Sequence, residues 1–387
     1  VLGFWTILSL AIASIMGTGL FFGVSIAANI SGNSSIISWI ILTIIAVYIS
    51  IFFAELTAMY PKAGGVYEFS KHAYGRFYSF IMGWTAWLVG NLTTALVIVA
   101  AIDYLIPDES KILLKIAISV ALILLLNFIA YLGIKASGIL VMVIAILLIA
   151  VISSFVFPGI FRISTSNYFP FFTFGLSSIF ISIFYIAESF FGWESATYLA
   201  EETTEPEKTI PKAIVLGTIV VGLLGIFIAV ISLGVIPWQE IAKLTAPLST
   251  VSDKVLGNIG MVLVNLGIFV SLVGSAAGEI ITMPRLILAL ARDKLFMSQL
   301  SDIHPRFNTP HKAIIFQTIV TLVAFGMVFG RYKALLSLIV PLGFILYIFV
   351  ILCVPILRVK EPKANRNFRV PFAFIGSFLL IAFIIAI

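Results

Sequence analysis

Very little in this sequence is built for water. Charged residues make up only 10% of the 387, too few to cover a soluble protein of that length, while 61% are hydrophobic and the mean hydropathy is +1.18. A single cysteine, Cys353, lies in an apolar run, so no internal disulfide framework is available. The three histidines, His72, His304 and His311, fall outside the apolar spans without metal-ligand spacing. Neither H-E-x-x-H nor G-x-S-x-G occurs, which leaves a membrane-embedded enzyme without a nucleophile–base pair or a metal set. No cofactor is expected. The formal charge of +6 is spread over alternate loops and not gathered into one patch, which argues against nucleic acid as a partner. The first apolar stretch has no basic leader and no small-residue cleavage site, and it is too long for a signal peptide.

What is present is a succession of apolar runs, each long enough to cross a hydrocarbon core. Backbone in lipid must satisfy its own hydrogen bonds, and these runs do not alternate polar with apolar as barrel strands would, so they are read as helices. Breaks at Gly, Pro and charged clusters give spans at 3–29, 36–59, 75–102, 112–132, 137–157, 176–200, 212–236, 256–290, 312–330, 334–357 and a partial 371–387. The eighth exceeds one crossing and should continue beyond the bilayer. An amphipathic loop with Trp238, Ile241, Leu244 and Leu248 precedes it. The chain starts at Val1 and stops inside an apolar run at Ile387, so both natural ends are expected to be missing. Trp5, Trp39 and Trp238 sit at expected interfaces and read as anchors.

Of the 23 Lys and Arg residues, sixteen fall in one set of loops and seven, including Arg331, in the other. The basic side is the cytoplasmic one, and the N-terminus lies with it. A multi-pass protein of the plasma membrane is expected.

Two spans are interrupted. The first carries Gly17-Thr18-Gly19 and Gly23, and the sixth carries Phe190-Phe191-Gly192-Trp193. Each glycine within a helix costs about 1 kcal/mol relative to alanine. Five spans separate the two breaks, and an odd offset inverts the second copy, so 1–157 and 176–357 are expected to form two inverted five-helix repeats of one transport domain. If the first helix unwinds at Gly17–Gly19, the N–H groups of the following half-helix favour an anion, and the freed carbonyls favour a cation or an ammonium. The competing reading is a small-residue seam for close helix packing.

Polar residues inside the spans add detail. Glu188 and Glu194 flank the second break, and Glu279 lies in the eighth span; a charge at a helix centre costs about 2.5–3.5 kcal/mol on insertion scales, so each should face a cavity, a partner or a proton. Glu194 could instead snorkel to the interface. Ser271 and Ser275 share one helix face, as do Ser275 and Glu279; the hydroxyls could hold Na⁺ or bond a neighbouring helix. Asn91, after Trp84 and Trp87, could contact substrate or a neighbouring helix. Glu55 closes the second span and reads as structural or gating.

Three blocks carry a family resemblance: Met16-Gly17-Thr18-Gly19-Leu20-Phe21; the run from Ala54-Glu55 to Tyr60-Pro61-Lys62-Ala63-Gly64-Gly65-Val66-Tyr67; and Gly192-Trp193-Glu194-Ser195-Ala196 leading to Glu201-Glu202-Thr203, Pro206 and Ile210-Pro211-Lys212. Together they resemble the amino acid–polyamine–organocation transporters, and the hydropathy match covers essentially the whole chain. The resemblance implies a leucine-transporter type of fold and secondary active transport of an amino acid or amine. It implies that the substrate carboxylate meets Thr18 and the N–H of Gly19, and that the ammonium meets carbonyls near Ile15 and at Glu188 and Phe191. Glu194 matches a glutamate implicated in proton-linked gating in related exchangers, and Asn91 matches a polar pocket residue there. Glu188 and Glu279 stand where those relatives place tryptophans, which points to cationic substrates such as arginine, lysine or a polyamine. The fifth span lacks a lysine that some proton-coupled members carry. Proton-coupled symport or exchange is expected, with Na⁺ symport as the alternative and, from another class, a sensor that binds amino acid without moving it.

Overall fold

The computed structural model describes residues 2–106, 108–329 and 332–387. Arg331 of the loop count and Gly330, the expected end of the ninth span, lie outside the described residues, as does Val1. The order is α1 (Phe4–Ile15), α2 (Gly19–Ser31), α3 (Ser35–Met59), α4 (Val66–Tyr74), α5 (Arg76–Leu105), α6 (Ile112–Leu132), α7 (Ile134–Ile160), α8 (Ser177–Ile186), α9 (Trp193–Thr197), α10 (Pro206–Val235), α11 (Trp238–Ile241), α12 (Pro247–Arg292), α13 (His311–Val328), α14 (Tyr332–Lys360) and α15 (Ala373–Ala386). Among the described residues no strand occurs beyond an isolated bridge between Leu2 and Thr203.

Seven helical stretches among the described residues are long and apolar enough to cross a membrane, and two shorter apolar helices accompany them. Length and apolarity alone therefore do not reach the expected eleven. One of the seven, Phe4–Met59, is not a single helix: it is broken at Met16–Thr18 and turns again at Gly32. The expected sixth span is divided between α8, a 3₁₀ turn over Ala187–Phe190, and α9, pieces too short to qualify singly. α12 bends at Gly257 (φ 74°, ψ −174°), so its first turns form part of the amphipathic segment and the remainder matches the expected span. Ile241 and Leu248 of that segment are buried, as its amphipathic pattern requires.

α1 packs against α10, α7 and α12, α2 against α8, and α5 against α12. The long faces of α6 and α7 expose Leu113, Phe128, Ile139 and Ile146, an arrangement that suits lipid and would be costly in water. Two expectations are corrected. Gly23 does not interrupt the first span; it lies inside α2, where a methyl group would come within 3.1 Å of the Trp39 ring, so it is a packing glycine. Trp39 is fully buried beneath that contact and is no interfacial anchor, whereas Trp5 is 70% exposed.

One end of the bundle carries a layer of ion pairs. Glu55 at the end of α3 forms ion pairs with Arg358 (2.6 Å) and Arg366 (3.5 Å) and accepts from the backbone N–H of Val370 (2.6 Å). Arg285 pairs with Glu202 at 2.8 Å and Arg292 with Glu201 at 2.8 Å. Lys71 of α4 pairs with Asp293 at 2.5 Å, and Tyr67 donates to the same carboxylate. Partial burial would push the Asp293 carboxyl up, but these two donors outweigh it and hold it below the usual carboxylate range.

Candidate functional site

The two interruptions face each other. After Ile15, Gly17 turns its N–H back to the Ile15 carbonyl (2.8 Å) and α2 restarts at Gly19. In the other helix, Phe191 bonds back to Glu188, and Gly192 takes a left-handed backbone (φ 115°), a region that an L side chain rarely enters. A methyl group on Gly192 would collide with the carbonyl of Ser14, so the second break lies against the end of α1.

Glu188 joins the breaks directly. Its fully buried carboxylate accepts from the Thr18 N–H (3.3 Å), the Thr18 hydroxyl (3.0 Å) and the Gly19 N–H (2.8 Å). The first N–H groups of a helix have no intrahelical acceptor, and the helix dipole favours negative charge there. The donors that the family resemblance assigns to a substrate carboxylate are thus held by the protein's own side chain, across 170 residues of chain. Gly17 permits the approach, since a methyl group there would stand 2.5 Å from Glu188 Oε1.

Glu194 and Glu279 form a second acidic locus. The Tyr347 hydroxyl donates to Glu194 Oε2 (3.2 Å) and accepts from the Gly192 N–H (3.2 Å), so one ring on α14 connects the second break to this glutamate. Ser195 donates to Glu279 Oε1 (2.6 Å). Glu279 Oε2 is buried with no hydrogen-bond partner and lies toward Gly90 and Met283. Glu194 is buried and bonded, and does not snorkel. Phe191 packs edge-on against Tyr347 and Phe344, with ring centroids 5.1 and 6.0 Å apart, while Phe190 is buried in the core.

The remaining candidates divide. Asn91 is engaged on both sides of its amide: it donates to the Trp87 carbonyl (2.8 Å) and accepts from Gln317 (2.9 Å) and Thr321 (3.1 Å) on α13. Gln317 also accepts from the Trp87 ring N–H at 2.8 Å. This knot joins α5 to α13, and losing it should cost stability before specificity. Gln317→Leu is expected to lower stability by about 1–3 kcal/mol, because buried donors and acceptors are left unpaired. Substrate preference measured on the same variant should not move; a change of preference would return Asn91 to the pocket lining. The Ser271 hydroxyl donates to the Gly267 carbonyl (2.7 Å), and Ser275 is buried beside Gly274. Among the described residues no group of three or more His, Cys, Asp or Glu is arranged to hold a metal ion.

Tyr347, Ser195 and Gln317 carry contacts that the sequence reading missed. Each is a hydrogen-bonding side chain inside an apolar run, the signal by which they could have been found. Beyond Tyr198, whose ring is buried, a cavity of about 540 Å³ opens among Glu201, Glu202, Arg285, Arg292 and Arg306.

An all-helical apolar bundle, with two helices interrupted against each other and buried acidic side chains beside the breaks, defines a polytopic membrane transporter. The chain belongs to the amino acid permease family, whose profile matches residues 2–387, within the amino acid–polyamine–organocation group. Three relatives from Bacillus subtilis illustrate the range. A branched-chain amino acid permease is 26% identical over 96% of this chain and 83% of its own length. A serine/threonine exchanger is 27% identical over 97% of this chain and 88% of its own length. A methylthioribose transporter is 26% identical over 94% and 82%.

Proposed function

We propose that this chain is a secondary active transporter that moves amino acids, cationic ones or related amines among them, by alternating access, with a proton as the coupling ion in symport or exchange. The observation that carries this reading is the pairing of two broken helices, with Gly192 against Ser14 and Glu188 on Thr18 and Gly19. Broken helices place main-chain donors and acceptors in the bilayer at the point where a solute has to be held and released. In this reading the architecture is a pair of inverted five-helix repeats, 1–157 and 176–357, followed by an eleventh span over 371–387. The N-terminus faces the cytoplasm of the plasma membrane, as the loop charges favour. The cavity by Tyr198 is then the cytoplasmic vestibule, and its arginines belong to the basic side.

Ile15, Gly17, Thr18, Gly19, Glu188, Phe190, Phe191, Gly192, Ser275 and Glu279 are proposed to form the binding region. Asn91 holds the adjoining helix, and Glu194 acts as the gating carboxyl. The proton reading is favoured over Na⁺ because three buried carboxyls lie near the breaks, whereas the Ser271 hydroxyl is already directed to a backbone carbonyl. The test is uptake of a labelled amino acid panel by the chain reconstituted in proteoliposomes, under imposed pH or Na⁺ gradients. An inward proton gradient should drive accumulation, a Na⁺ gradient should not, and Glu279→Gln should flatten the pH profile. Accumulation that follows Na⁺ alone would reject proton coupling. Tight binding without flux would leave a sensor.

A further inference from the structure

The anion place at the start of α2 is already taken. Three donors, the N–H groups of Thr18 and Gly19 and the Thr18 hydroxyl, converge on the Glu188 carboxylate at 2.8–3.3 Å. The fit leaves no slack: a methyl group on Gly17 would lie 2.5 Å from Oε1 and 2.9 Å from the Glu188 carbonyl, and one on Gly19 would lie 3.1 Å from Oε2. A second carboxylate is disfavoured at these donors, because like charges at contact distance repel. Among the described residues, the buried polar atoms near the breaks and Glu279 that have no hydrogen-bond partner include Ser14 Oγ, Ser189 Oγ, the Tyr198 hydroxyl and Glu279 Oε2. Ser14 lies against Gly278, one residue before Glu279, and Ser189 lies against Gly19. The hydroxyls can donate or accept, whereas an ionised Glu279 carboxylate can only accept, so a positively charged donor is the partner that Glu279 Oε2 lacks.

We propose that Glu188 is the resident ligand of the anion subsite, and that the solute this chain selects is a primary amine without an α-carboxylate, in preference to the matching α-amino acid. The inference rests on the reading of the two breaks as the solute site. An ammonium satisfies the unpaired acceptors and leaves Glu188 in place, whereas an α-amino acid has to expel Glu188 from three charge-assisted hydrogen bonds before its own carboxylate can make them. Glu188 is thus a specificity-determining residue that disfavours the carboxylate end of the solute and leaves the amine end unaffected.

Matched pairs test this on the full chain in nanodiscs, with labelled cadaverine as the probe and lysine, cadaverine, ornithine and putrescine as competitors. In the unaltered protein each diamine should compete at least about tenfold better than the amino acid it corresponds to by loss of the carboxyl group, the scale of a hydrogen bond to a charged group. Glu188→Gln, which keeps the size of the side chain, should narrow or reverse the preference by strengthening lysine and ornithine, with the diamines little changed. Lysine binding more tightly than cadaverine in the unaltered protein would overturn the proposal, and this arm needs no variant to fold. An unchanged preference in Glu188→Gln would overturn it as well. If neutral amino acids are taken up by proteoliposomes while no diamine binds, the assignment of Glu188 fails and the transport function stands. If nothing is bound or taken up, the transport function itself fails, and this inference with it.

Discussion

Gly192→Ala is expected to reduce uptake by about a hundredfold or more while the protein still inserts and purifies. Two independent costs meet at this position. The backbone has φ 115°, where an added Cβ strains against its own chain by about 1–3 kcal/mol. The Cβ would also strike the Ser14 carbonyl, which is backbone and cannot move aside as a flexible side chain would. Relief requires the second break to part from α1. That displaces the Gly192 N–H from Tyr347 and Glu188 from the start of α2. Gly326→Ala is the control: it is an exposed helical position with nothing within 4 Å of the added methyl group, and uptake should be unchanged. Initial rates in proteoliposomes, normalised to reconstituted protein, give the comparison. Gly192→Ala with rates equal to those of Gly326→Ala would mean that the close approach of the breaks has no part in transport.

Much of this arrangement is legible in the sequence because lipid restricts the alternatives. Runs such as Ile112–Leu132 can only be helices there, and the Gly17-Thr18-Gly19 triplet and the Phe191-Gly192 pair weaken two of them at places the structure also breaks. Glu188 and Glu279 stand out as carboxyls in apolar runs. Their partners do not stand out. The contact of Glu188 with Thr18 spans 170 positions, and that of Tyr347 with Glu194 spans 153, with no local periodicity to signal either. Gly23 shows the converse limit: composition cannot distinguish a glycine that breaks a helix from one that admits Trp39 against it. Trp39 shows the same limit, since its position in the chain suggests an interface while its burial depends on Gly23 and Gly225. Asn91 reads equally as pocket or strut until Gln317 and Thr321 are seen on both sides of its amide.

Glu55→Ala is the substitution expected to cost most in stability. The carboxylate is fully buried and bonds the side chain of Arg358 through both oxygens (3.0 and 2.6 Å), with Arg366 at 3.5 Å and the Val370 N–H at 2.6 Å. It therefore ties the end of α3 to the end of α14 and to the segment that leads into α15. Removing one partner of a buried ion pair costs about 3–5 kcal/mol, mainly because the opposite charge is left without compensation. Here two guanidinium groups are left, and the Arg366 side chain is only 4% exposed, so water can compensate it little. Arg358, at 23% exposed, can recover part of its hydration, which favours the lower half of that range for its share. Thermal unfolding in detergent should register the loss as a lower midpoint in Glu55→Ala. Glu55→Gln should fall between, since its amide oxygen still accepts while the charge is gone. Combining Glu55→Met with Arg358→Leu should recover part of the loss but not all, because Arg366 keeps its bonds to the Leu357, Glu361 and Ala364 carbonyls but lacks the Glu55 carboxylate. If Glu55→Ala melts with the unaltered protein, the ion pair contributes nothing net and the end of α3 must be held by apolar packing around Phe52 and Phe53 instead.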